Sequence, residues 1–194
     1  MPAFSTLLLC ASALLSFSFV PFTQAKNVTI VVDDAAADPL TGRRIQYLPA
    51  NAWKAGKNDN CDNCTAHLNA SVVYQSTWHE AEDAPGAANE TRAVFSFEGT
   101  SVSVHCLIAS VIPQSDEDLS YDLVFSLDGK ANAGFTTGKA PQGAARYNNV
   151  AVFESEPLQM GNHTLEIWPA AAIDPSGDYS HNRSTILLDY IEYS

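Results

Sequence analysis

The chain has 194 residues, 22 of them Asp or Glu and 10 Lys or Arg, for a net charge of −12. That length holds one ordinary domain with a sizeable core. That charge argues against nucleic acid and anionic membranes as partners, and leaves neutral ligands, cations or plain solubility.

Residues 7–20 form an almost unbroken apolar run, followed by Pro21 and then Thr23-Gln24-Ala25. The run is short for a membrane span. Small residues at minus three and minus one mark Ala25 as the end of a signal peptide, although no Lys or Arg precedes the run. We therefore expect a signal over 1–25 and a single secreted, extracellular β-sandwich domain over 26–194. No membrane insertion is expected. Six Asn-X-Ser/Thr sequons fit export and glycosylation: Asn27, Asn63, Asn69, Asn89, Asn162 and Asn182. Asn63 is the weakest, because Cys64 is its middle residue.

The elements read in order as strands. Residues 27–32 and 44–48 are short β-rich runs. Cys61-Asp62-Asn63-Cys64 lies in a polar stretch and reads as a local disulfide in an oxidising compartment. Zinc would need two further ligands, and only His67 is near. Cys106 reads as a buried thiol. Residues 71–78 alternate and predict a strand, followed by a polar loop over 79–90. The cleanest pattern spans 92–108. Phe95 and Phe97 alternate with polar neighbours, and Val102, Val104, Cys106 and Ile108 alternate with Ser101, Ser103, His105 and Leu107, with Gly99 between the runs. This predicts a hairpin with a tight reversal at Gly99. Further strands are predicted over 121–127, 131–137, 148–153, 163–168 and 185–193, with a turn at Asp128-Gly129. About nine or ten strands result, with no convincing amphipathic helix and no internal repeat. That is the pattern of an all-β sandwich.

The order of short motifs resembles a group of secreted or membrane-anchored basidiomycete proteins, mostly uncharacterised. The blocks are Ile30–Asp34, Ile45–Tyr47, Trp53 with Cys-X-X-Cys, Thr77-Trp78-His79, Phe97–Val104, Phe125–Gly129, Tyr147-Asn148, Leu158–Leu165 and Leu188–Ile191. The chain departs from many of them in lacking a C-terminal transmembrane stretch. The resemblance implies a galactose-binding-domain-like jelly roll in two antiparallel sheets, similar in layout to carbohydrate-binding modules. It also implies a structural calcium at Asp33, Asp34 and Asp189, hard oxygen donors that suit that ion.

Sugar recognition needs flat apolar faces and a few fixed polar groups. Trp53, Trp78, Trp168, Tyr47, Tyr147 and Tyr179 lie at strand ends or in loops, and Trp78-His79-Glu80 sets an aromatic beside two polar groups. The expected ligand residues are Trp78, His79, Trp53, Tyr147, Tyr179 and Trp168. The expected partner is a fungal or plant cell-wall glycan, bound without catalysis. The alternatives are an extracellular structural or interaction protein, or a polysaccharide-active enzyme. The acidic group Asp116, Glu117 and Asp118 reads as a solvated loop, and no nucleophile elbow or phosphate loop occurs.

Overall fold

The computed structural model describes residues 28–83, 91–112, 119–137, 140–170 and 184–194. Within them run β1 Ile30–Asp33, β2 Gln46–Leu48, β3 Lys54–Lys57, β4 Thr77–Asp83, β5 Arg92–Gly99, β6 Val102–Val111, β7 Tyr121–Leu127, β8 Lys130–Thr137, β9 Arg146–Glu154, β10 Gly161–Pro169 and β11 Ser184–Tyr193. One sheet has the order β3-β4-β11-β6-β9, with β1 also beside β11; the other has the order β2-β5-β10-β7-β8. The pairings are antiparallel. From β4 to β11 the chain deals its strands as β4-β11-β6-β9 facing β5-β10-β7-β8, which is the eight-strand double Greek key of a jelly roll. The expected fold class is therefore the one that forms.

β11 is the organising strand. Ser184 to Leu188 pair with β4, Tyr190 to Tyr193 pair with β1, and β6 lies along its other edge. A bulge between Leu188 and Tyr190 leaves Asp189 as the extra residue. The main core lies between the sheets and includes Phe95, Phe97, Phe125, Val104, Cys106 and Ile191. A second cluster packs under the segment 61–73, where Ala66, Leu68 and Val73 cover Trp78, Leu107 and Leu187.

Two sequence expectations are corrected. The 92–108 stretch is not a hairpin: β5 pairs with β2 and β10, whereas β6 pairs with β11 and β9. The chain crosses from one sheet to the other after Gly99. Alternation specifies which side chains share a face, but not which strand lies alongside. Crossing over lets the Phe95 and Phe97 face pack toward the other sheet, where both rings meet Tyr193 of β11, at 6.1 and 5.6 Å between centroids. Gly99 is required for close approach, since a Cβ there would stand 2.5 Å from the Ser194 carbonyl oxygen.

Nor is 71–78 a strand. It forms two 3-10 turns, Ala70–Val72 and Tyr74–Ser76, with Gln75 and Ser76 at φ +49° and +60°. The Asn69 side chain accepts from Ser71 N at 2.9 Å and so favours a turn. The strand starts at Thr77 and runs through what reads as polar loop, because Glu80 is buried and satisfied there. The Asp128-Gly129 turn forms as expected, with φ of +53° and +73°.

Candidate functional site

The residues expected to hold calcium do converge. Asp33 ends β1, Asp34 follows it, Asp189 sits in the β11 bulge, and all three are buried. The Thr77 hydroxyl lies 3.1 Å from both Asp33 oxygens and 2.7 Å from Asp34 Oδ1. It has one proton for three acceptors. His79 Nδ1 is 2.5 Å from Asp34 Oδ2. Tyr74 N donates to Asp189 Oδ1 at 2.9 Å, and Asn149 Nδ2 donates to Oδ2 at 2.5 Å. Burial raises the Asp34 pKa despite His79 and Thr77. Burial also pushes Asp189 up to about 7, against the hydrogen bonds from Tyr74 and Asn149 and with help from Asp34 and Asp33.

The donor set tests the calcium expectation. A calcium ion takes six to eight oxygens around one point. Here both Asp189 oxygens accept from protein N–H groups, and Asp33 Oδ1 already accepts from Ala35 N and Ala36 N at 2.9 and 3.1 Å. Among the described residues, no three His, Cys, Asp or Glu side chains are arranged to hold a metal ion. The residues do not fit the ion; they form a hydrogen-bonded junction between β1, β4, β9 and β11.

The expected sugar-binding residues scatter. Trp78 is 1% exposed, and its ring lies on Gly56, where a Cβ would fall 2.0 Å from Cε2. Trp53 and Tyr147 are also buried. These three have no open ring face for a sugar, which corrects the expectation: the 61–73 cover closes over Trp78 and Tyr147, and Trp53 joins the main core. His79 is stacked on Tyr47 at 3.9 Å and 11°, and Tyr47 Oη donates to the Asp34 carbonyl at 2.8 Å. Glu80 is fully buried and accepts from Thr65 N at 2.6 Å, Ala66 N at 3.0 Å and Lys54 Nζ at 3.3 Å. Trp78 and Glu80 thus anchor the cover, whereas half-buried His79 is held by Tyr47 and Asp34. Tyr179 lies outside the described residues.

Trp168 is different. Its neighbours Leu165 and Ile167 point inward, so Trp168 and Glu166 stand on the outer face of the β5–β10–β7 sheet. Trp168 is half-buried. It lies opposite Val124, and Val124 lies opposite Gly134. Across β5, Arg92 lies opposite Leu48, which is 42% exposed, and Arg92 Nη1 pairs with Glu166 Oε2 at 3.1 Å. Gly134 leaves this face low: a Cβ there would meet only the Leu123 carbonyl oxygen, at 3.5 Å. One indole on a shallow sheet face, with an ion pair beside it, can stack on the apolar side of a sugar ring while the pair meets its hydroxyls.

No protein-family model and no curated protein matches the chain. Solved structures do resemble it. A family two carbohydrate esterase from Clostridium thermocellum in complex with cellohexaose is 17% identical with a TM-score of 0.32, covering 52% of this chain and 24% of its own. The chain thus spans about a quarter of that protein's length. The carbohydrate-binding module CBM36 in complex with calcium and xylotriose is 13% identical with a TM-score of 0.39, covering 84% of this chain and 98% of its own. The Podospora anserina GH26-CBM35 β-(1,4)-mannanase is 8% identical with a TM-score of 0.43, covering 86% of this chain and 27% of its own.

Cys61 and Cys64 are disulfide-bonded, with Cα atoms 5.5 Å apart, as expected. Cys106 is a buried free thiol whose pKa burial pushes up. Asn69 and Asn162 are exposed, and so is Asn63, at φ +62°. Asn27, Asn89 and Asn182 lie outside the described residues, as do residues 1–25 and the acidic group at 116–118. Among the described residues no helix is long and apolar enough to cross a membrane.

Sequence reasoning missed Tyr74, Asn149, Tyr190 and His105. Tyr190 stacks on His105 at 4.2 Å and lies 5.0 Å from Tyr74, and Asn149 Oδ1 is 3.1 Å from His105 Nδ1. They come from four distant elements, and no local spacing links them.

Proposed function

We propose that the chain is a secreted, N-glycosylated, non-catalytic module that binds neutral cell-wall polysaccharide on the outer face of the β5–β10–β7 sheet. The signal over 1–25 is removed, residues 26–194 form the domain, and Asn69 and Asn162 carry glycans. The observation that carries this reading is Trp168, a half-buried indole among Arg92, Glu166, Val124 and the open Gly134 position. Trp168 supplies the stacking face, and Arg92 and Glu166 supply fixed polar groups. The acidic charge disfavours polyanionic glycans at this face.

The test is a pull-down with insoluble cellulose, xylan, mannan and fungal wall glucan, using the protein and its Trp168→Ala variant. Retention on at least one neutral polysaccharide is expected, reduced ~10-fold or more in a folded variant. Equal retention of the variant would move the site elsewhere. No retention on any polysaccharide would give the lead to an extracellular interaction protein, a reading that the buried Trp53 and Trp78 favour.

A further inference from the structure

We infer a second binding site, for a monocarboxylate carrying hydroxyl groups, in the cleft at the start of β9. The cleft has a volume of about 340 Å³ and is lined by His67, Asn69, Val72, Arg146, Tyr147 and Asn148. The 61–73 cover forms one wall. Arg146, opposite Val111 of β6, forms the other.

The argument rests on Arg146. Four arginines are described. Arg43 donates to the Ser96 carbonyl, Arg44 to the Ala35 carbonyl, and Arg92 pairs with Glu166. Arg146 is exposed, and its guanidinium makes no hydrogen bond or ion pair among the described residues. Its side chain lines the cleft. A guanidinium fork takes a planar carboxylate through two parallel N–H···O bonds.

The net charge also selects among anions. Repulsion from the protein's field grows with ligand charge, so a dianionic sulfate or phosphate ester is disfavoured against a monoanion. Exposed Asn148 in the cleft offers a neutral donor and acceptor for hydroxyls. A uronic acid has this combination, and so does a simple hydroxy acid. This site lies away from Trp168, on the other sheet, and does not depend on the sheet-face reading.

The experiment is a calorimetric titration with glucuronate, lactate and methyl β-glucoside, each into the protein and its Arg146→Ala, Arg146→Lys and Trp168→Ala variants. N-glycans are trimmed first, because Asn69 stands at the rim. Arg146 is exposed, and unchanged melting of its variants is checked. Glucuronate is expected to bind, ~10-fold or more weaker in Arg146→Ala, partly restored in Arg146→Lys, and unchanged in Trp168→Ala. Lactate binding as well as glucuronate would assign a small hydroxy acid, and weaker lactate binding an acidic sugar; either supports the site. Absent glucuronate binding, binding equal in Arg146→Ala, or equal binding of methyl β-glucoside would overturn it. None of these results bears on retention by neutral polysaccharide, which tests Trp168 alone.

Discussion

Tyr74 hangs from Asp189. Its backbone N–H donates to Asp189 Oδ1 at 2.9 Å across 115 residues of sequence, while the other carboxylate oxygen takes the Asn149 amide. One buried acid thereby fixes the 3-10 turn Tyr74–Ser76, the middle of β9 and the bulge of β11.

That junction predicts a pH dependence. Asp189 has its pKa raised from 3.8 to about 7, and that of Asp34 is raised as well. A raised acid binds more protons in the folded state than in the unfolded one. Its contribution is therefore full below the unfolded pKa and is lost as pH climbs from about 4 to about 7. Asp38 and Asp128 are lowered and act in the opposite sense, losing their contribution as pH falls below the usual carboxylate range. Melting temperature is expected to be higher at pH 5 than at pH 8. In Asp189→Asn the slope should flatten, because the amide keeps an acceptor for Tyr74 N without a charge. An unaltered slope in the variant would locate the titration elsewhere.

Chelation is expected to do nothing. Both Asp189 oxygens and Asp33 Oδ1 accept from protein N–H groups, so prolonged EDTA treatment should leave the melting temperature unchanged, and added calcium should not raise it. A rise at 100-fold excess over a dissociation constant would amount to about 2.7 kcal/mol, which scanning calorimetry would register readily.

Gly56→Ala should be severe. Its Cβ would fall 2.0 Å from Trp78 Cε2 and 2.3 Å from Cζ2, and the ring is held between β3 and the cover. Overpacking of this kind costs ~1–3 kcal/mol or more. Gly134→Ala on the other sheet is the comparison, since its Cβ has ordinary room, and ~0.5 kcal/mol or less is expected. Urea unfolding of both variants measures the difference.

The Cys61–Cys64 bond closes a short loop, so little unfolded-state entropy is at stake. Cys61→Ser with Cys64→Ser is expected to cost about 2 kcal/mol at most. The loop leads directly into Thr65 and Ala66, whose N–H groups satisfy buried Glu80. Amide exchange at those two residues should therefore speed up more than exchange across β11.

The parts legible in the sequence are those where one local pattern decides. Residues 121–137 read correctly because an apolar alternation, an Asp-Gly pair and a second run dictate a two-strand unit among neighbours in sequence. Residues 92–108 show the limit of the same signal. The alternation identified the buried face of β5, and that of β6 as far as Cys106, but Leu107 is buried in the second cluster while Ile108 is only half-buried, and partner choice depends on β10 and β11, far downstream. At the site, Trp78 carried the strongest local signal, an aromatic beside His79 and Glu80. Its burial depends on a lysine, two loop amides and a glycine supplied by other segments. Trp168 was expected among six candidate residues, and only the structure separates it from the buried rings. Arg146 carried no motif at all, and only the surrounding structure shows its side chain facing a cleft.

β11 lies between β6 on one edge and β4 with β1 on the other, and it follows all of them in sequence. Ile30 meets Tyr193 across more than 160 residues of chain. During synthesis the first sheet therefore has a gap at its centre, and β1, β4 and β6 emerge with unpaired edges and bare apolar faces. Closure has to wait for β11 to emerge, and a topology this non-local folds slowly. The nascent chain should thus be held by chaperones for most of its translation, and a ribosome stalled before Ser184 would present a collapsed, protease-sensitive product rather than a half-built sandwich.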